Sequence, residues 1–102
     1  MRENDRVELV IDAPWFEKFP WSRQLLDPDL GQRAGAPAFA VTGTLGELGH
    51  PAGLFARTDG SWDGTGRRHE GFEIFVPWAY VIAILEIRSD EEAAARRMGF
   101  VG

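Results

Sequence analysis

The longest uncharged apolar run of the chain lies between two glutamates: Glu73-Ile-Phe-Val-Pro-Trp-Ala-Tyr-Val-Ile-Ala-Ile-Leu-Glu86. Its pattern predicts a strand, a corner and a second strand. Ile74 and Val76 share one face of the first strand, Pro77 removes a ladder donor and ends it, and β-branched residues resume at Val81. On the second strand Val81, Ala83, Leu85 and Ile87 fall on one face and Tyr80, Ile82 and Ile84 on the other. A strand apolar on both faces has to be covered twice. One cover is the core. The other is expected to be a second copy of the chain, with Tyr80, Ile82 and Ile84 as the self-association residues.

Upstream, Val7-Glu-Leu-Val-Ile-Asp12 alternates as a strand with Val7, Leu9 and Ile11 on one face. Ala13 to Leu26 predicts two short helical turns, with Asp12 as N-cap, Pro14 in the first turn, and Pro20 excluding one unbroken helix. Trp15, Phe16, Phe19, Trp21, Leu25 and Leu26 are too apolar for a free loop, so this segment is expected to lie across an opening of the fold as a lid. Asp27 to Pro37 is a turn-rich connector. Ala38 to Glu47 is a strand bent at Gly43 and Gly46, Gly49 to Gly53 a turn, Leu54 to Thr58 a short strand, and Asp59 to Gly71 a long, polar, flexible loop. Ser89-Asp-Glu-Glu92 forms a capping box that opens a helix ending at Met98, with Gly99 as its left-handed C-cap. The fold class is therefore mainly β: a strongly bent five-stranded antiparallel small barrel, with a helical segment near the N-terminus and a short C-terminal helix. Its core is expected to contain Leu9, Ile11, Phe39, Val41, Leu45, Leu54, Ile74, Val76, Val81, Ala83 and Leu85.

With 102 residues, the chain has the length of one domain, 1–102, able to fold without staples. It has no cysteine, which favours a cytoplasmic address for so small a domain. Met1-Arg-Glu-Asn-Asp-Arg6 is too polar for a signal peptide, and Ile74 to Leu85 is too short to span a bilayer, so a soluble protein is expected. A net charge of -5 repels a phosphate backbone and disfavours nucleic-acid binding. Lys18 is the sole lysine, a bias of GC-rich coding that carries no functional inference.

Candidate chemistry centres on the glycine-rich loop. Asp59, Ser61, Asp63, Gly64 and Glu70 fall on positions 1, 3, 5, 6 and 12 of the calcium-loop pattern, with Thr65 at the carbonyl-donor position. Against calcium stand Gly66 in place of an apolar anchor, the charges of Arg67 and Arg68, and flanks that are strands rather than helices. A small-molecule or metal-binding domain using residues 59–70 is the alternative function. His50 and His69 each have a glutamate nearby, Glu47 and Glu70, but there is no cysteine, and Ser22, Ser61 and Ser89 lie in no nucleophile motif. An enzyme is not expected, and no cofactor or catalytic residue is assigned. Trp62 beside Thr65-Gly-Arg-Arg-His69 makes a basic, aromatic tip, yet Asp59, Asp63, Glu70 and Glu73 nearly cancel its charge. Trp15, Trp21 and Trp78 belong more naturally to a core than to a ligand pocket.

A helical segment, bent glycine-containing strands, a long loop and two strands joined by a one-step corner together resemble an Sm- or SH3-like small barrel. Within it, Ile74-Phe-Val-Pro-Trp-Ala-Tyr-Val-Ile-Ala-Ile84 is similar to the isoleucine/valine-Pro then Val-x-Ala-Ile run of bacterial stringent-starvation-type protease adaptors. The resemblance covers about a tenth of the chain, and the first strand and the acidic loop depart from it. It implies architecture and edge-to-edge oligomerisation, not an adaptor activity. The function expected is a non-catalytic cytosolic interaction module that forms a homo-oligomer, most simply a dimer, through its last strands, with a further protein partner compatible.

Overall fold

The computed structural model describes residues 2–28 and 35–87. The predicted C-terminal helix from Ser89 and the middle of the Asp27 to Pro37 connector lie outside them.

Seven strands are present among the described residues: β1 (Arg6–Asp12), β2 (Ala38–Leu45), β3 (Gly53–Thr58), β4 (Gly60–Trp62), β5 (Arg68–Glu70), β6 (Glu73–Pro77) and β7 (Val81–Glu86). Five of them form one antiparallel sheet in the order β6-β3-β2-β1-β7, while β4 and β5 pair with each other. Alternation in β1 is obeyed closely. Val7, Leu9 and Ile11 are buried, and their β2 partners Gly43, Val41 and Phe39 face the same interior. At Gly43 an added Cβ would collide with the carbonyl oxygen of Arg57, so the glycine is needed where β2 and β3 approach.

Between Pro77 and Val81 lies only a 3-10 turn, Trp78–Tyr80. Yet β6 and β7 occupy opposite ends of the strand order. In a flat sheet, four spacings of about 4.8 Å would separate these strands by about 19 Å. Three residues of 3-10 helix advance about 6 Å. The sheet must therefore curl until its two edges meet at the corner. It does not close: β6 pairs with β3 and β7 with β1, and no ladder joins β6 to β7 among the described residues. The expected closed barrel is thus corrected to a five-stranded open sheet. Pro77 lacks an N–H, and the turn after it carries the chain over the end of the sheet instead of back along β6.

The lid forms as two turns, an α-helix α1 (Ala13–Lys18) followed by a 3-10 segment, Pro20–Leu25, broken at Pro20 as expected. Asp12 occupies the N-cap position with extended backbone, but its side chain makes no capping hydrogen bond. Trp15, Phe16 and Leu25 enter the core with Leu9, Ile11, Val41, Leu45, Leu54, Ala56, Ile74 and Val76. Ring contacts continue the packing, Trp15 to Phe16 at 5.0 Å and Phe16 to Phe39 at 5.3 Å. Phe19 and Trp21 remain exposed on the outside of the lid.

The predicted flexible loop Asp59 to Gly71 is instead a two-stranded arm. Gly60 pairs with Glu70, Ser61 with His69 and Trp62 with Arg68. Thr58 joins arm to sheet, its N–H donating to Phe72 O at 3.0 Å and its Oγ1 accepting from Phe72 N at 3.1 Å.

Candidate self-association edge

β7 is the last strand of the sheet, and its ladder runs to β1 alone among the described residues. Ile11 pairs with Val81 and Val10 with Ala83, so Ile82 is an extra residue and the strand bulges there. A bulge resets the alternation. Beyond it Ile84 pairs with the core residue Leu9 and packs against the core, while Leu85 pairs with Glu8 and points outward at 40% exposure. The expectation that Leu85 lies in the core and Ile84 opposite to it is therefore corrected: past Ile82 the two exchange faces. Ala83, also expected inside, lies beside Val10 on the outer face. Val81 keeps its inward side. Ile82 is 57% exposed, the most exposed of the large apolar residues described.

The corner before β7 is held from both sides. Trp78 donates its backbone N–H to Ala52 O at 3.2 Å and its indole N–H to His50 O at 3.1 Å, fastening the corner to the β2–β3 turn. Tyr80 packs against the core, and its hydroxyl accepts from Lys18 Nζ at 2.5 Å. Tyr80 is thus a brace between lid and corner. Of the three residues proposed for self-association, Ile82 alone stands clear of the fold.

The arm spreads the calcium-loop candidates along a hairpin. Asp59 faces the Arg6 guanidinium at 2.6 Å, and Ser61 Oγ donates to Glu70 O at 2.8 Å. Asp63 is engaged by its own turn: it accepts from Thr65 Oγ1 at 2.5 Å, Thr65 N at 2.9 Å and Arg67 N at 3.1 Å, and meets His69 Nε2 at 2.7 Å. The Thr65 hydroxyl first, then His69 and the Thr65 amide, hold the Asp63 carboxyl far below the usual value of 3.8. Among the described residues no three His, Cys, Asp or Glu side chains gather as a metal group would require. The pattern of residue types at positions 59, 61, 63, 65 and 70 is equally that of a hairpin whose turn is closed by an aspartate.

His50 lies apart from His69. Its Nδ1 accepts from Ala52 N at 3.0 Å, and its ring sits 6.0 Å from Phe55 and 5.4 Å from Phe75. Ser61 stands opposite His69 in the arm's ladder, but its Oγ donates to Glu70 O while the His69 ring meets Asp63; Ser22 is buried and donates to Phe19 O, and Ser89 lies outside the described residues. A hollow of about 430 Å³ opens beside the start of α1, with Asp12, Glu17 and Arg23 as its charged lining. It lies beside the lid, not sealed beneath it as a covered ligand pocket would be. No described helix is long and apolar enough to cross a membrane.

Two residues of the outer face, Glu8 and Leu85, carry no signal in the alternation. Glu8 falls on a nominally solvated position, and the bulge that turns Leu85 outward is set by pairing with β1, which a single strand's pattern does not contain. Comparison with protein-family models, curated proteins and solved structures returned no match.

Proposed function

We propose that this protein is a non-catalytic interaction module that associates with itself through β7, edge to edge, as a two-fold dimer. The observation that carries this reading is an edge strand, Val81-Ile-Ala-Ile-Leu-Glu86, with no proline or basic residue, bearing at Ile82 the most exposed large apolar side chain described. From Val81 to Leu85 this strand has a ladder to β1 alone among the described residues, and a strand so placed can accept a second one, which natural folds that avoid it prevent with lysine or proline. Antiparallel pairing of β7 with β7 of a second copy satisfies both edges by one symmetric contact. The short corner at Trp78–Tyr80 keeps β7 beside the opposite end of the open sheet, and the bacterial adaptor resemblance points to the same edge.

The test is native mass by light scattering across a dilution series, with Ile82→Asp as the variant. A dimer that becomes a folded monomer on substitution is the expected result. A wild-type monomer at every concentration, or an Ile82→Asp variant that keeps the dimer mass, overturns the assignment.

A further inference from the structure

The turn between β2 and β3 holds the corner before β7 through two carbonyls, and the residues that carry them are joined to each other by a histidine ring. His50 O accepts from the Trp78 indole N–H at 3.1 Å and Ala52 O from the Trp78 backbone N–H at 3.2 Å. Across Pro51, the Ala52 N–H donates to His50 Nδ1 at 3.0 Å. An amide N–H only donates, so Nδ1 presents its lone pair and the neutral ring carries its proton on Nε2. Edge-on packing against Phe75 at 5.4 Å and Phe55 at 6.0 Å fixes the ring in this pose. Protonation turns Nδ1 from acceptor into donor. Two donors then face each other inside the turn, and the Ala52 N–H finds another partner only if the turn opens.

We propose that His50 is an acid-sensitive latch on the corner: the neutral ring closes the His50 to Ala52 turn on Trp78, and protonation of Nδ1 loosens turn and corner together. Imidazole suits this role because it is the side chain that ordinarily changes charge near neutral pH. The charged residues on the elements packed around the ring are Glu47 before the turn, Arg57 on β3 and Glu73 on β6. Arg57 and Glu73 are register partners two positions along from the Phe55 and Phe75 pair, so they offer the ring opposite charges side by side. Glu47 is exposed and enters the turn through its carbonyl, which accepts from Phe55 N at 3.2 Å. Past the corner, Tyr80 is engaged by Lys18 on the lid. Among the described residues no carboxylate bonds the His50 ring to hold it in place once it is charged. Trp78 stands where the chain leaves β6 for β7, so the latch sets how firmly β7 is held at its start. It acts within one chain and needs no second copy.

The test follows the unmodified protein by NMR as the pH falls from about 8 to about 5. The expected result is a His50 ring that starts with its proton on Nε2, and a Trp78 indole N–H whose protection from solvent exchange falls about fivefold with the midpoint of the His50 titration, while Trp15 and Trp21 do not follow it. His50→Asn supplies an oxygen that accepts from the amide two residues on and does not titrate. In that variant the Trp78 response should vanish although His69 still titrates; should the variant not fold, the wild-type titration decides alone. A ring that starts with its proton on Nδ1, that stays neutral throughout, or that titrates without change at Trp78 overturns the proposal, as does a Trp78 response that survives in His50→Asn. The readout is local to one chain, so it stands or falls apart from the mass of Ile82→Asp.

Discussion

The sheet has two edges, and they are finished differently. At β6 the strand is short, begins with Glu73, ends at Pro77 and is covered on its outer side by its own aromatics: Phe75 lies 4.8 Å from Phe55, with His50 against both. Gly53 makes room for this, since an added Cβ would come within 2.8 Å of the Phe75 ring. At β7 there is no proline, the sole charge is at Glu86, and the bulge throws Ile82 outward. A bulge blunts the part of an edge it distorts, but Ala83 to Glu86 continue regularly against β1. Among the described residues the β6 edge is shielded by side chains of its own sheet, and the β7 edge carries no ladder beyond β1. Ile82 is exposed on an edge strand whose ladder runs to β1 alone among the described residues, whereas Phe19 and Trp21, less exposed, lie on helical turns whose hydrogen bonds are internal.

The largest effect is expected from removing what both edges share. Leu9 is buried beneath β1, paired to Val41 on one side and Ile84 on the other, and Leu9→Ala should cost about 3 kcal/mol in chemical denaturation. Hydrogen exchange should then rise at both edges together. Loss confined to β7 would mean that the sheet does not unfold as one unit. Next comes the contrast between the edges. Phe75→Asp should lower stability by about 1–2 kcal/mol through lost ring contacts and leave the native mass unchanged. Ile82→Asp should do the reverse, changing stability by no more than about 0.5 kcal/mol while halving the mass. If Phe75→Asp dissociates the protein, the protected and open edges have been assigned the wrong way round.

Most of the sheet was legible because its signals are local. Pro77 marks the end of β6, Pro20 divides the lid, and Val7, Leu9 and Ile11 declare the inner face of β1. What the pattern misplaced depends on pairing. The Ile82 bulge is invisible in β7 alone, yet it decides that Ile84 rather than Leu85 faces the core. The arm was expected as a loop because Gly60–Trp62 and Arg68–Glu70 are three-residue strands, too short and polar for alternation to register. The candidate site fared similarly: the choice of β7 rests on composition, but Tyr80 turned out to be a brace because its partner Lys18 lies sixty-two positions earlier.

A smaller effect tests that brace. Tyr80→Phe removes the acceptor for Lys18 but keeps the ring, over which the ammonium sits at 5.2 Å from the centroid. Because the bond is exposed, the loss of stability should be about 0.5 kcal/mol or less. The informative readout is hydrogen exchange in the corner. Faster exchange at Val81 with the dimer mass intact would separate holding the corner from making the contact, whereas loss of the dimer would make the lid part of the interface.

The smallest effect belongs to the arm, which shows how a polar hairpin satisfies itself without a partner. Asp63 closes the turn by accepting from Thr65 and Arg67 and facing His69. Since its carboxyl is held below the ordinary 3.8 in the folded arm, the ionised form is the one the turn favours. Its contribution is therefore complete above about pH 4 and fades as acid carries the carboxyl through its lowered folded value, so acid loosens the turn. The carboxyl resonance of Asp63, followed by carbon NMR, should titrate well below 3.8, and Thr65→Ala should move it upward by removing its strongest donor. Both changes should leave the mass of the protein unaltered, as should millimolar calcium leave Trp62 fluorescence. A titration at the ordinary value would mean that the turn is open in solution, and the arm, like β7, would then have donors and acceptors to offer a partner.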